Sequence, residues 1–162
     1  MIRSGQKIKF RPIRNCECGD HSFVALTRGM VALVSVCDRW LLEAHSWSAM
    51  RSGRTFYAVK TGVGLLHRQI AEVARGTDVD HKNRNGCDNR RQNLRPASRS
   101  MNCANSIGRS GRLKGVKRKG NRWIARIRDE HLGMFDTEAE AHAAYMVRAR
   151  QVYGEFARGD SR

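Results

Sequence analysis

Acidic residues are scarce in this chain. Fifteen Asp and Glu stand against 31 Lys and Arg, giving a net charge of +16 and a pI near 10.8. That balance is foreign to most enzymes of small metabolites and favours polyanions, of which nucleic acid is the commonest. Long apolar runs are missing as well. None approaches the roughly 18 residues of a spanning helix, and the opening MIRSGQKIKFRPIR has no apolar signal-peptide core. A soluble cytoplasmic protein with no membrane partner is expected. A regular cysteine framework is also lacking: the five cysteines are odd in number and irregularly spaced, which argues against a disulfide scaffold.

Metal-ligand spacing is nearly absent. Cys16, Cys18 and His21 in NCECGDH are the one close cluster. The usual CxxC spacing of zinc sites is not there, and no second pair follows. A turn carrying reduced thiols is the expectation. A structural Zn²⁺ near Cys16/Cys18, with Cys37 as candidate fourth ligand, is the alternative.

What is present falls into three segments without internal repeats. Residues 1–62 hold strand-like pieces FVAL, VALVSV and TFYAV, separated by turns at Arg28-Gly29 and Ser52-Gly53. Between them DRWLLEAHSW reads as a short helix, with Asp38 as its cap and Leu41 and Leu42 facing inward beside Trp40 or His45. Residues 63–108 open with LLHRQIAEVARG, where Leu66, Ile70 and Val73 share helical spacing and Gly76 marks the stop. A short strand ending at Asp80-His81, a polar loop and the helix SRSMNCANSIG, capped by Ser98 or Ser100, follow. A linker is expected at residues 108–112. Residues 109–162 then read as a hairpin turning at Gly120-Asn121, a third strand HLGMF, and a helix opened by a Thr137–Glu140 capping box. Ala141, Ala144, Tyr145, Ala149 and Val152 fall on one face of that helix. Small alanines there let it lie close to a sheet.

The polar run VDHKNRNGCDNRRQNLR, residues 79–95, raises the chemical question. Phosphodiester hydrolysis needs an activated water, charge neutralisation at the phosphate and help for the leaving oxygen. A neutral histidine can take the proton, because its unperturbed pKa of roughly 6.5 lies near working pH. A divalent cation held by oxygen ligands can serve the phosphate. Asp80 and His81 are neighbours, and on an extended strand they point to opposite sides unless the strand bends. Asn102 and Asn105 both offer a second oxygen ligand, and spacing does not choose between them. Asn93 is suited to tying the loop through its side-chain amide. His67, beside Leu65 and Leu66, reads as a packed core residue.

DHKNRNGCDNRRQNLR followed by MNCAN resembles the HNH nuclease motif, in the version found in phage-type HNH homing endonucleases. LLHRQI and TRGMVALVSVCDRWLLEAHSW also resemble that family. The resemblance implies a ββα-metal finger with His81 as general base, Asp80 and Asn102 as ligands of one divalent metal, and Asn93 as the middle Asn that fixes the loop. Asn at the third motif position suits a hard ion, Mg²⁺ or Mn²⁺.

The last segment is different in character. Between Arg109 and Arg128 there are nine Lys or Arg and no acidic residue. Alternation along RWIARIR turns Trp123, Ala125 and Ile127 toward the helix and Arg122, Ile124, Arg126 and Arg128 outward. Lys114, Lys117, Lys119, Arg122, Arg126 and Arg128 are the expected DNA contacts, because such a face can lie in the major groove. GV, W-x-A-x-I, LG-x-F, T-x-x-E-A and the AY pair resemble the plant-type APETALA/ethylene-response DNA-binding domain. That family implies a three-stranded antiparallel sheet packed on one helix. Arg126 stands where plant members often have Glu, so no particular DNA site transfers.

The expected fold is therefore α+β: a small β-rich N-terminal part with a ββα-metal (HNH) finger, then the three-stranded sheet on its helix. The expected activity is metal-dependent nicking of double-stranded DNA by a monomer, with no small-molecule substrate. The alternative is a DNA-binding regulator that does not cleave.

Overall fold

The computed structural model describes residues 11–107 and 113–159, and the expected linker lies outside them. Among the described residues the fold is mixed α+β, with four α-helices and four small sheets. The chain divides into two compact units, Met1–Pro96 and Ala97–Arg162.

The first unit begins with a meander of β1 (Ile13–Asn15), β2 (His21–Ala25) and β3 (Val31–Ser35). Alternation dictates their faces: Ser22 and Val24 of β2, and Ala32 and Val34 of β3, are buried. The β2–β3 turn uses left-handed backbone at Arg28 and Gly29. After α1 (Arg39–Ala44) comes a second sheet of β4 (Ser48–Ser52), β5 (Thr55–Lys60) and β6 (Gly64–Leu65), then α2 (Leu66–Ala71). The polar run supplies β7 (Asp78–His81), β8 (Asp88–Asn89) and β9 (Leu94–Ala97). β7 pairs with β9, whereas β8 joins the first sheet, parallel to β3 with Val34 opposite Asn89.

One core holds this unit together. Val24, Leu26, Val34, Leu41, Leu42 and Trp47 pack with Ala58, Leu66, Ile70 and Cys87. The N-terminal strands and the Asp-His stretch therefore share a single apolar interior, and the boundary expected near residue 62 does not part them. Leu42 and Leu66 are almost fully buried, so cutting either to Ala costs about 2–5 kcal/mol.

Three local expectations are corrected. Asp38 makes no side-chain cap on α1; its carboxylate is gripped by Arg91 instead. Trp40 is exposed, and Trp47 takes the inner place, donating its indole N–H to the Leu41 carbonyl at 2.8 Å. α2 stops at Ala71, because Glu72 adopts left-handed backbone, so Val73 lies beyond the helix.

The second unit contains α3 (Arg99–Asn105), capped by Ser98, whose hydroxyl accepts from Met101 N at 3.3 Å. Then come β10 (Val116–Lys119), β11 (Arg122–Ile127) and β12 (Glu130–Phe135), an antiparallel sheet with β11 central. α4 (Glu138–Tyr153) opens with the Thr137–Glu140 capping box. Ala141, Tyr145, Ala149 and Tyr153 of α4 are buried, and Tyr145, Ala149 and Tyr153 pack with Ile127 of β11. Gly115 has φ +74, and a Cβ there would lie 1.9 Å from Tyr145 Cδ2. Only glycine allows this close approach of backbone to ring.

Candidate functional site

The residues between β7 and β9 form a cross-braced loop. Asn83 Oδ1 accepts from Asn85 N at 2.9 Å and from Asn93 Nδ2 at 3.0 Å. Asn83 N donates to Asn93 Oδ1 at 3.0 Å, and Asn93 Nδ2 also donates to the Asp88 carbonyl at 2.7 Å. Asn83 Nδ2 reaches Asp88 Oδ2 at 2.8 Å, and Asn85 Oδ1 accepts from Cys87 N at 3.1 Å. The amides are thus loop braces, each satisfying backbone groups that a tight loop leaves without ladder partners. Asn93 is one of these braces, and its side-chain amide is spent on Asn83 and the Asp88 carbonyl.

Three arginines of the run are likewise engaged. Arg90 binds Asp88 through Nε at 2.8 Å and a terminal nitrogen at 2.7 Å. Arg91 clasps the buried Asp38 through Nε at 2.8 Å and a terminal nitrogen at 2.6 Å. Arg95 Nε donates to Asp80 Oδ2 at 2.8 Å, with a terminal nitrogen at the same distance. Burial pushes the Asp88 carboxyl upward, but the bonds and charge of Arg90 outweigh it and leave its pKa below the usual value.

His81 ends β7 and is 5% exposed. Its Nε2 lies 3.2 Å from Asn89 Oδ1. Asn89 Nδ2 donates to the Cys87 carbonyl at 3.0 Å, which fixes the amide so that its oxygen faces the ring. Nε2 must therefore be the donor, and the basic lone pair of the neutral ring sits on Nδ1. Tyr57 and His67 wall the imidazole, with ring centroids at 5.7 and 5.0 Å. Burial lowers the His81 pKa, partly offset by the Asn89 bond and the charges of Asp80 and Asp88. His67 is lowered to about 3, chiefly by burial and then by His81 and Arg68. Its Nδ1 is buried with no hydrogen-bond partner among the described residues.

Asn89 is the residue that sequence reasoning missed. It lies in the DNR run, but nothing local distinguishes it from five other asparagines between residues 83 and 105. Its role follows from the parallel pairing of β8 with β3, which is a long-range event.

As to a metal, Asp80 is 3% exposed and offers a carboxylate oxygen, a hard donor that fits Mg²⁺ or Mn²⁺. Asn102 lies on α3, in the second unit, and is partly exposed. A separate group could also hold a metal ion: Cys16, Cys18 and His21, with ligand atoms all within 4.8 Å of one another.

On the sheet of the second unit, Lys117 stands opposite Ile124 and Lys119 opposite Arg122, while Arg126 pairs with His131 beyond a bulge. Lys117, Lys119, Arg122 and Arg126 are exposed, and the alternating Ala125 and Ile127 are buried. Arg122 donates to Asp136 Oδ1 at 2.9 Å and the Met134 carbonyl at 3.1 Å. Among the described residues no hydrogen bond or ion pair engages the side chain of Lys117, Lys119 or Arg126. Two expected contacts are placed elsewhere. Lys114 precedes β10 and donates to the Ala104 carbonyl. Arg128 lies past the end of β11 with φ 50; its guanidinium covers the Tyr153 ring at 5.2 Å and donates to that hydroxyl at 3.2 Å.

No protein-family model, curated protein or solved structure matches this chain.

Proposed function

We propose that this protein is a metal-dependent DNA endonuclease of the HNH type, which holds duplex DNA on its basic sheet and cuts one strand. The observation that carries the reading is the pinned imidazole: Asn89 accepts from His81 Nε2, which puts the basic nitrogen of the neutral ring at Nδ1. In this account His81 Nδ1 takes a proton from water, the water oxygen bonds to phosphorus, and the bond to the 3′-oxygen breaks. Burial favours the neutral form of His81, the form that has a lone pair to offer a proton. Asp80 would hold a divalent ion, which when bound supplies charge neutralisation at the phosphate and the leaving oxygen. Asn102, a ligand by resemblance, is to be tested by substitution. The pairing of β7 with β9 around the polar loop supports the two-strand part of a ββα-metal finger. One such motif per chain favours a nick.

A second reading rests on one observation. Arg95 already compensates the Asp80 charge, so the pair is complete without an ion, as a DNA-binding regulator that does not cleave would need. A supercoiled-plasmid assay with Mg²⁺ or Mn²⁺ decides between them. Host and phage DNA libraries should be included, since the target sequence is open. The endonuclease reading expects metal-dependent conversion to open circle, reduced on the order of 10²–10⁴-fold in His81→Ala. Salt-sensitive binding with no cutting under either metal would select the regulator.

A further inference from the structure

We propose that Cys16, Cys18 and His21 form a second metal site, for one zinc-class divalent ion held by two thiolates and an imidazole at the tip of the β1–β2 hairpin. This does not rest on the endonuclease reading.

The hairpin brings the three together. Ile13, Arg14 and Asn15 pair with Val24, Phe23 and Ser22, and the ladder continues with Cys16 N donating to the His21 carbonyl at 2.9 Å. Cys16 and His21 are therefore cross-strand neighbours. Between them the chain reverses: Gly19 N donates to the Cys16 carbonyl at 3.0 Å, with Gly19 at φ +76. That turn folds Cys18 back, so that its Sγ lies 3.5 Å from His21 Nδ1. All three ligand atoms fall within 4.8 Å of one another. Ligands of a tetrahedral zinc ion stand about 3.5–3.8 Å apart, given its usual bond lengths. The hairpin is thus close to binding geometry, with a fourth position open to water or an outside ligand.

The donor chemistry selects the ion. Two sulfurs and an imidazole suit zinc or another borderline-soft ion and disfavour Mg²⁺, in contrast to the carboxylate at Asp80. Binding to an ion releases the protons of both thiols, so occupancy rises with pH. The expected benefit is local. β1 has three residues at the edge of its sheet, and an ion at the tip would clamp it to β2.

The test is a titration of the reduced, metal-stripped full chain with Co²⁺, followed by displacement with Zn²⁺. The expected result is a thiolate-to-cobalt charge-transfer band that saturates near one equivalent and disappears on adding Zn²⁺. It should be lost in Cys16→Ser/Cys18→Ser, whose folding is checked by circular dichroism, and kept in Cys37→Ser. Absence of the band in the wild-type chain would overturn the proposal, whatever the variants do. So would a band that survives the double substitution, or one lost equally in Cys37→Ser.

Discussion

Two basic stretches of this chain look alike on paper and are used in opposite ways. In the first unit the arginines of NRRQNLR are turned inward onto carboxylates: Arg90 on Asp88, Arg91 on Asp38 and Arg95 on Asp80. Each of those aspartates is at most 3% exposed. In the second unit Lys117, Lys119 and Arg126 have exposed side chains that no described residue engages. A cation facing a buried carboxylate is part of the fold, because losing it strands a charge. A cation on an exposed sheet face contributes little to folding and remains available to a polyanion. A charge run therefore has no meaning until its partners are known.

The comparison can be broken by substitution. Arg91→Ala leaves Asp38 buried without its guanidinium. Its expected cost is on the order of 2–3 kcal/mol, less than the 3–5 of a fully enclosed pair because Arg91 itself is half in water. Urea unfolding measures it, and a loss under about 0.5 kcal/mol would place Arg91 with the surface cations. Asn89→Ala should fold but free the His81 ring, lowering the nicking rate roughly 10–100-fold, the range usual for partners that orient a functional histidine. An unchanged rate would remove Asn89 from the account.

Acid should act on the first unit through His67. With a folded pKa of about 3 against roughly 6.5 when unfolded, the unfolded chain binds a proton that the folded chain refuses across that window. Stability is fully present above pH 6.5. Each unit below it costs about 1.4 kcal/mol until the pH nears 3. His81, lowered for the same reason, adds in the same direction. His67→Phe should flatten the decline, leaving the share of His81, and denaturant midpoints at pH 5 and 7 would show it. The smallest stability effect belongs to the sheet: Lys117→Ala/Lys119→Ala/Arg126→Ala should shift folding by no more than about 0.5 kcal/mol per site.

Local patterns were the legible part of the sequence. Alternation marked β3 and β5, and T-x-x-E marked the start of α4, because those signals arise within a few residues. What sequence reading missed was tertiary. Asp38 has the residue type of a helix cap, yet Arg91, 53 positions away, holds its carboxylate. Arg128 continues the alternation of RWIARIR, but β11 ends at Ile127 and the Tyr153 ring draws the guanidinium aside. Asp80 and His81 stood out as a pair, whereas the partner of His81 depended on where β8 docks. Distant pairings leave no periodicity to read.

The most direct test of this division of labour measures cutting and binding side by side on His81→Ala and on the triple sheet variant. The account predicts that His81→Ala binds duplex DNA with an unchanged salt dependence but does not nick it. The triple variant should bind more weakly, its salt slope reduced by up to roughly 2.7 for three lost phosphate contacts, and nick again at high protein concentration. If both variants lost binding and cutting together, or if His81→Ala nicked at the wild-type rate, the account would be contradicted.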